Sequence, residues 1–103
     1  KYLIKTGGEN VYPAEIERVL LSHPDVIDAA VVRACDAKWG ESPVAFVACG
    51  DDGPDAEALL NLCRESLAGY KRPREIHFIA FEDFPRSTSG KIQRHILEAR
   101  LAD

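Results

Sequence analysis

A chain of 103 residues is long enough to bury one core and too short for two. With 46% hydrophobic and 29% charged residues the composition is that of an ordinary globular domain, which excludes disorder. A formal net charge of −4, from 13 Lys+Arg against 17 Asp+Glu, argues against a general nucleic-acid binder, and no apolar run approaches the roughly 20 residues that span a bilayer.

Around Gly7-Gly8, the short stretches 2–5 and 9–12 read as a β-hairpin. Pro13 then opens a helix, because the first helical position needs no backbone donor; Glu15 and Glu17 suit its first turn, and Ile16, Val19 and Leu20 form its apolar face. His23-Pro24 ends it. Val26 to Arg33 and Val44 to Cys49 read as strands, joined by a connection that holds the single tryptophan, Trp39. After the turn Asp51-Asp52-Gly53-Pro54 a second helix is predicted over 55–67, with Leu59, Leu62, Cys63 and Leu67 on one face and Gly69 at its end. Glu75 to Phe81 is a third strand, followed by the polar loop Pro85 to Gly90 and a terminal helix over 91–101. The expected fold is α+β: an N-terminal β-hairpin plus a small, mostly antiparallel three-stranded sheet flanked by helices, all in one domain, 1–103.

Three segments could carry chemistry. In Thr6-Gly7-Gly8-Glu9-Asn10 two glycines allow close approach to a ligand, or simply the positive φ of a turn; the strand-then-helix setting of a dinucleotide fingerprint is missing. Tyr70-Lys71-Arg72-Pro73-Arg74 places three cations and a ring in five residues. If extended, it puts Tyr70, Arg72 and Arg74 on one face, an arrangement suited to a phosphorylated nucleotide or, equally, a solvated basic turn. Ser87-Thr88-Ser89-Gly90-Lys91-Ile92 resembles a phosphate loop superficially, but Pro85 and Ile92 break the pattern. A lysine at a predicted helix start opposes the helix dipole, a conflict that a bound anion would relieve. From Tyr70 to Arg94 six basic residues face three acids, so the basic charge is local and fits a small anionic ligand better than a polyanion.

Cys35, Cys49 and Cys63 are widely spaced, form no CxxC pair and have no histidines at metal spacing, so no metal site is expected; they read as buried thiols in a reducing, cytoplasmic setting. His23, His77 and His95 share no spacing that suggests chemistry. The opening Lys-Tyr-Leu-Ile-Lys is too short for a signal peptide, and the lack of methionine leads us to expect a piece of a longer protein.

Taken together, Lys5 through Glu17, His23-Pro24-Asp25-Val26, Trp39-Gly40-Glu41, Tyr70-Lys71-Arg72-Pro73 and Pro85 through Arg94 resemble, in order and over essentially the whole chain, the C-terminal domain of acyl-CoA synthetases of the adenylate-forming superfamily. The resemblance implies a lid domain that rotates against a large N-terminal domain of the same polypeptide, its main partner. One orientation supports adenylation of a carboxylic acid by ATP; the other supports thioester formation with coenzyme A. It further implies that Lys91 is the catalytic lysine of adenylation. Gly8, Glu9, Trp39, Tyr70, Arg72 and Arg74 would meet coenzyme A, and Lys1 would fall at the hinge, where many members have aspartate. ATP and coenzyme A are the implied substrates, with Mg2+ expected in the full-length enzyme and none bound by this domain. Fatty acid metabolism and a cytoplasmic location follow from the same resemblance. The excised domain would be inactive. A non-enzymatic binding or regulatory module that keeps the lid fold, or another adenylate-forming enzyme, is the alternative.

Overall fold

The computed structural model describes residues 2–102, so Lys1, the expected hinge residue, lies outside the described residues. Strands β1 (Ile4–Thr6) and β2 (Glu9–Val11) form the expected hairpin, in the register Ile4↔Val11, Lys5↔Asn10, Thr6↔Glu9. Its two-residue turn is Gly7-Gly8, with φ of +56° and +85°. Positive φ at both central residues gives the turn whose twist matches paired strands, and glycine adopts it without steric cost. Helix α1 (Pro13–Leu21) follows, with Pro13 in its first turn and Ile16 and Leu20 buried.

Two long strands, β3 (Val26–Asp36) and β4 (Gly40–Cys49), pair antiparallel from Val26↔Cys49 to Asp36↔Gly40. They extend further than their Val/Ile-rich centres suggest, because pairing carries through Arg33↔Pro43 and Cys35↔Glu41 into the Trp39 turn. Pro43 is tolerated in β4 because it falls in the gap between β1, which pairs at Gly40, and β5, which pairs from Ala45. The register shifts between Val26 and Asp28, which leaves Ile27 exposed. Helix α2 (Ala56–Ser66) is capped by Asp55, whose side chain accepts the Ala58 N–H at 2.9 Å. It ends at Ser66; Gly69 instead opens a 3-10 turn, Gly69–Lys71. Strand β5 (Ile76–Phe78) pairs parallel to β4, a second 3-10 turn covers Phe81–Asp83, and helix α3 spans Arg94–Ala99.

The architecture is α+β, as expected, but the hairpin is part of the sheet. β1 joins β4 at Thr6↔Gly40, giving a five-stranded sheet in the order β2-β1-β4-β3 with β5 also on β4. The sheet is covered on both faces, which is why its central strands read as continuous apolar runs rather than alternating ones. On one face Ala29, Val31, Ala45 and Val47 meet Ile16 and Leu20 of α1 and Leu59 and Cys63 of α2. On the other, Ala30, Val32, Phe46 and Ala48 meet Phe84 and Leu97. Each fully buried Val, Leu or Ile contributes roughly 1.5–3 kcal/mol of hydrophobic stabilisation, so these two clusters are what hold the connecting turns in place.

Candidate functional site

The turn between β3 and β4 brings the N-terminal hairpin and the basic segment together. Asp36, the last residue of β3, accepts the backbone N–H groups of Lys38 (2.9 Å) and Trp39 (3.0 Å). These two donors, with Arg74 nearby as a lesser influence, hold its carboxyl below the ordinary Asp value. The turn presents Trp39 half-exposed, with Lys38 Nζ 4.7 Å from its ring centroid. Gly7 N–H donates to the Trp39 carbonyl at 2.9 Å, and a Cβ on Gly7 would lie 3.0 Å from Trp39 Cε3. The φ of +56° therefore calls for glycine here, and the indole lies close enough that an added Cβ would press on it.

The Arg74 backbone N–H donates to the Pro43 carbonyl at 2.8 Å, and its guanidinium reaches the Asp36 carboxylate at 3.4 Å and the Cys35 carbonyl at 3.3 Å. Lys71 pairs with Glu15 of α1 at 3.0 Å, and the hydrogen bond to that carboxylate raises the lysine's pKa. The result is a groove of about 460 Å³ lined by Thr6, Gly7, Glu9, Asp36, Trp39, Ser42, Pro43, Gly69, Tyr70, Arg72 and Arg74. Five of the six residues expected to meet coenzyme A, Glu9, Trp39, Tyr70, Arg72 and Arg74, thus lie around one concavity. Two rings and the Arg74 guanidinium along this groove suit a ligand with a planar ring and anionic groups.

Three expectations change in detail. Gly8 does not line the groove; it sits at the exposed tip of the hairpin, with nothing within 4 Å of the Cβ it would carry, and Gly7 takes the lining position. Arg72 is spent largely on structure, donating to the carbonyls of Leu67 (3.0 Å) and Arg64 (3.1 Å) at the C-terminal end of α2. Tyr70 to Arg74 is also not a continuous extended segment, because Tyr70 lies in the 3-10 turn. The signals missed in the sequence were Asp36, two and three residues before the amides it caps, and Gly7, which the double glycine left indistinguishable from its neighbour.

Lys91 is not among the groove residues, and it is not at a helix start: α3 begins three residues later, at Arg94. The conflict with a helix dipole therefore disappears. Lys91 instead ends a tight turn in which Gly90, at φ +87°, donates to the Ser87 carbonyl at 2.9 Å. Ser87 N–H donates to the Lys91 carbonyl at 2.9 Å, the Lys91 N–H reaches Ser87 Oγ at 3.3 Å, and Arg86 bridges Ile92 across the base. The Lys91 side chain is exposed, and among the described residues no carboxylate pairs with it. No group of three or more His, Cys, Asp or Glu side chains among the described residues could hold a metal ion. His77 packs against Phe46 and pairs with Glu75 at 2.8 Å, away from both features.

Fold and site together define a small α+β domain with a stacking groove and a separate lysine turn. The chain belongs to the family of AMP-binding enzyme C-terminal domains, which residues 15–91 match. It is 47% identical over 95 residues to the 2-succinylbenzoate–CoA ligase of Bacillus licheniformis, a match covering 92% of this chain and 19% of that protein. The apo structure of MatB from Rhodopseudomonas palustris superimposes with a TM-score of 0.92 at 36% identity, over 100% of this chain and 20% of that one. The Mycobacterium tuberculosis fatty acyl CoA synthetase does so with a TM-score of 0.87 at 39% identity, over 95% and 19%. The chain therefore spans about a fifth of the length of the relatives it matches.

Proposed function

We propose that this chain is the C-terminal lid of an ATP-dependent acyl-CoA synthetase, which converts a carboxylic acid, ATP and coenzyme A to acyl-CoA, AMP and diphosphate. The observation that carries the reading is the separation of two kinds of site on one small domain: a groove with two rings and the Arg74 guanidinium, and a lysine on a tight turn that has no ion-pair partner among the described residues. A two-step ligation needs these in turn rather than together. In adenylation a carboxylate oxygen attacks the α-phosphorus and the bond to diphosphate breaks; Lys91 stabilises the oxygens on which negative charge grows. In thioester formation the coenzyme A sulfur attacks the acyl carbonyl and AMP leaves. Trp39, Tyr70 and Arg74 hold the coenzyme A nucleotide, with Glu9 and the glycine turn beside its thiol-bearing arm.

The N-terminal domain of the same polypeptide is the proposed partner, holding ATP and the acid, and Lys1 is the proposed pivot. Mg2+ is proposed to accompany the ATP phosphates in the full-length protein. The acid is given as a carboxylic acid. A role in fatty acid metabolism is supported by the fatty acyl relative at 39% identity, but the 2-succinylbenzoate ligase is more similar to this chain, at 47%. Of the three free thiols, expected to be buried, Cys63 is buried, Cys49 half-buried and Cys35 exposed; a free exposed thiol supports the proposal of a reducing, cytoplasmic setting.

The test is to express the full-length parent protein with ATP, coenzyme A and a panel of carboxylic acids, and to quantify AMP and acyl-CoA. One acid should give AMP and acyl-CoA in equal amounts. AMP released without thioester for every acid, or no turnover on any of them, contradicts the proposal.

A further inference from the structure

We propose that Arg86, held by Asp28, is the positioning residue that aims the Lys91 turn for adenylation; the inference rests on the lysine's role proposed above. Among the described residues Lys91 has no ion-pair partner, so what the domain itself fixes is the position from which its side chain starts, and that is set by its backbone. That backbone is closed at its base by Arg86, which bridges Ile92, the residue after Lys91.

The Arg86 guanidinium is fastened in three ways. It pairs with the Asp28 carboxylate, and both side chains are mostly buried. It lies 4.6 Å from the Phe81 ring centroid and 5.6 Å from that of Phe84. It also donates to the Phe81 carbonyl at 3.4 Å. Asp28 is itself fixed, since its other carboxylate oxygen accepts the Ala29 N–H at 2.9 Å. The register shift just before Asp28 aligns it with Ala30 and Val32 on the face that carries Phe84 and Leu97. One forked cation thus ties the lysine turn to the long strand β3, and a lysine in its place would supply charge but neither the fork nor the same stacking.

The loop base also rests on the apolar contacts of Phe84 and Leu97, which survive loss of the ion pair. Removing the pair is therefore expected to loosen the aim of Lys91 more than the fold, and a misplacement of about 1 Å is enough to cost on the order of 100-fold in rate.

The experiment uses the full-length ligase with Asp28→Asn and Arg86→Lys, alone and in a Lys91→Ala background. Adenylation is read by ATP–diphosphate exchange, thioester formation from supplied acyl-adenylate, and folding by thermal melting. Each single variant should lower kcat for adenylation about 10- to 100-fold with little change in the KM for ATP. Transfer to coenzyme A should be retained, and neither change should reduce adenylation further once Lys91 is gone. Unchanged adenylation in both variants overturns the inference. So does equal loss of both half-reactions with a lowered melting temperature, or a loss that persists undiminished in the Lys91→Ala background. Should Asp28→Asn fail to fold, Arg86→Lys decides by the same readings. If Lys91→Ala alone leaves adenylation intact, the role of the lysine itself fails, and this inference with it.

Discussion

Glu17 receives Arg94 Nη2 on both carboxylate oxygens, at 2.9 and 2.8 Å, and accepts the Val31 N–H at 2.9 Å as well. Three elements, α1, β3 and the first residue of α3, meet at this one carboxylate. Its side chain is only 13% exposed, and truncation would strand a partly buried guanidinium and a strand N–H together. Glu17→Ala is expected to destabilise the domain by about 2–4 kcal/mol, read as a lowered urea midpoint at unchanged slope. A loss within about 0.5 kcal/mol would mean that the pair behaves as a surface pair.

Gly8 sits at φ +85° in open space. Gly8→Ala is expected to cost about 1–2 kcal/mol from backbone strain alone, seen as a modestly lower melting temperature. Gly8→Leu in the full-length parent protein adds bulk at the hairpin tip. If that tip lies beside the coenzyme A arm, thioester formation falls while adenylation continues. Loss of both half-reactions with a melt many degrees lower would reduce Gly8 to a turn former.

Asp36 gives the account a pH signature. Its carboxyl is depressed by the Trp39 and Lys38 amides, so its stabilising contribution is present above the unfolded value, about 3.9, and is lost as pH falls through the lower folded value. Trp39 fluorescence should hold steady from neutral pH past the ordinary aspartate range and change only below it. Asp36→Ala should show the altered signal already at pH 7. An unchanged Trp39 signal in Asp36→Ala would remove the carboxylate from the support of the turn.

Arg72 and Arg74 are expected to separate. Arg72→Ala removes donors from the end of α2 and should lower stability by about 1 kcal/mol, given its exposure. Arg74→Ala should leave the melting temperature nearly unchanged and raise the KM for coenzyme A several-fold. Identical effects on both measurements would erase the distinction between a helix cap and a groove residue.

The readable parts of this chain were those governed by local chemistry. Pro13 announced α1, Gly7-Gly8 the hairpin, and Leu59 and Cys63 the buried face of α2, with Leu67 buried just past its end. Less legible were features that tertiary contact decides. The start of α3 was misplaced because Ile92 looks like a helix-face residue, yet its backbone is taken by the bridge to Arg86. Glu17 seemed a first-turn dipole partner and instead serves Arg94, which lies 77 residues away in sequence. Alternation suggested a shared face for Tyr70, Arg72 and Arg74; the three do border one groove, but the Arg72 head group turns back to α2. The clustering of groove residues from distant parts of the chain came into view through resemblance, since spacing alone could not bring Glu9, Trp39 and Arg74 together.

The most direct test of the proposed division of labour is to measure both half-reactions in the full-length parent protein for Lys91→Ala and for Trp39→Ala with Arg74→Ala. The lysine variant should lose adenylation by about 100- to 1,000-fold and keep transfer from supplied acyl-adenylate. The groove variant should show the reverse, with diphosphate exchange intact and coenzyme A transfer impaired. Equal losses in both half-reactions for both proteins would contradict a lid that presents its lysine turn and its groove in alternation.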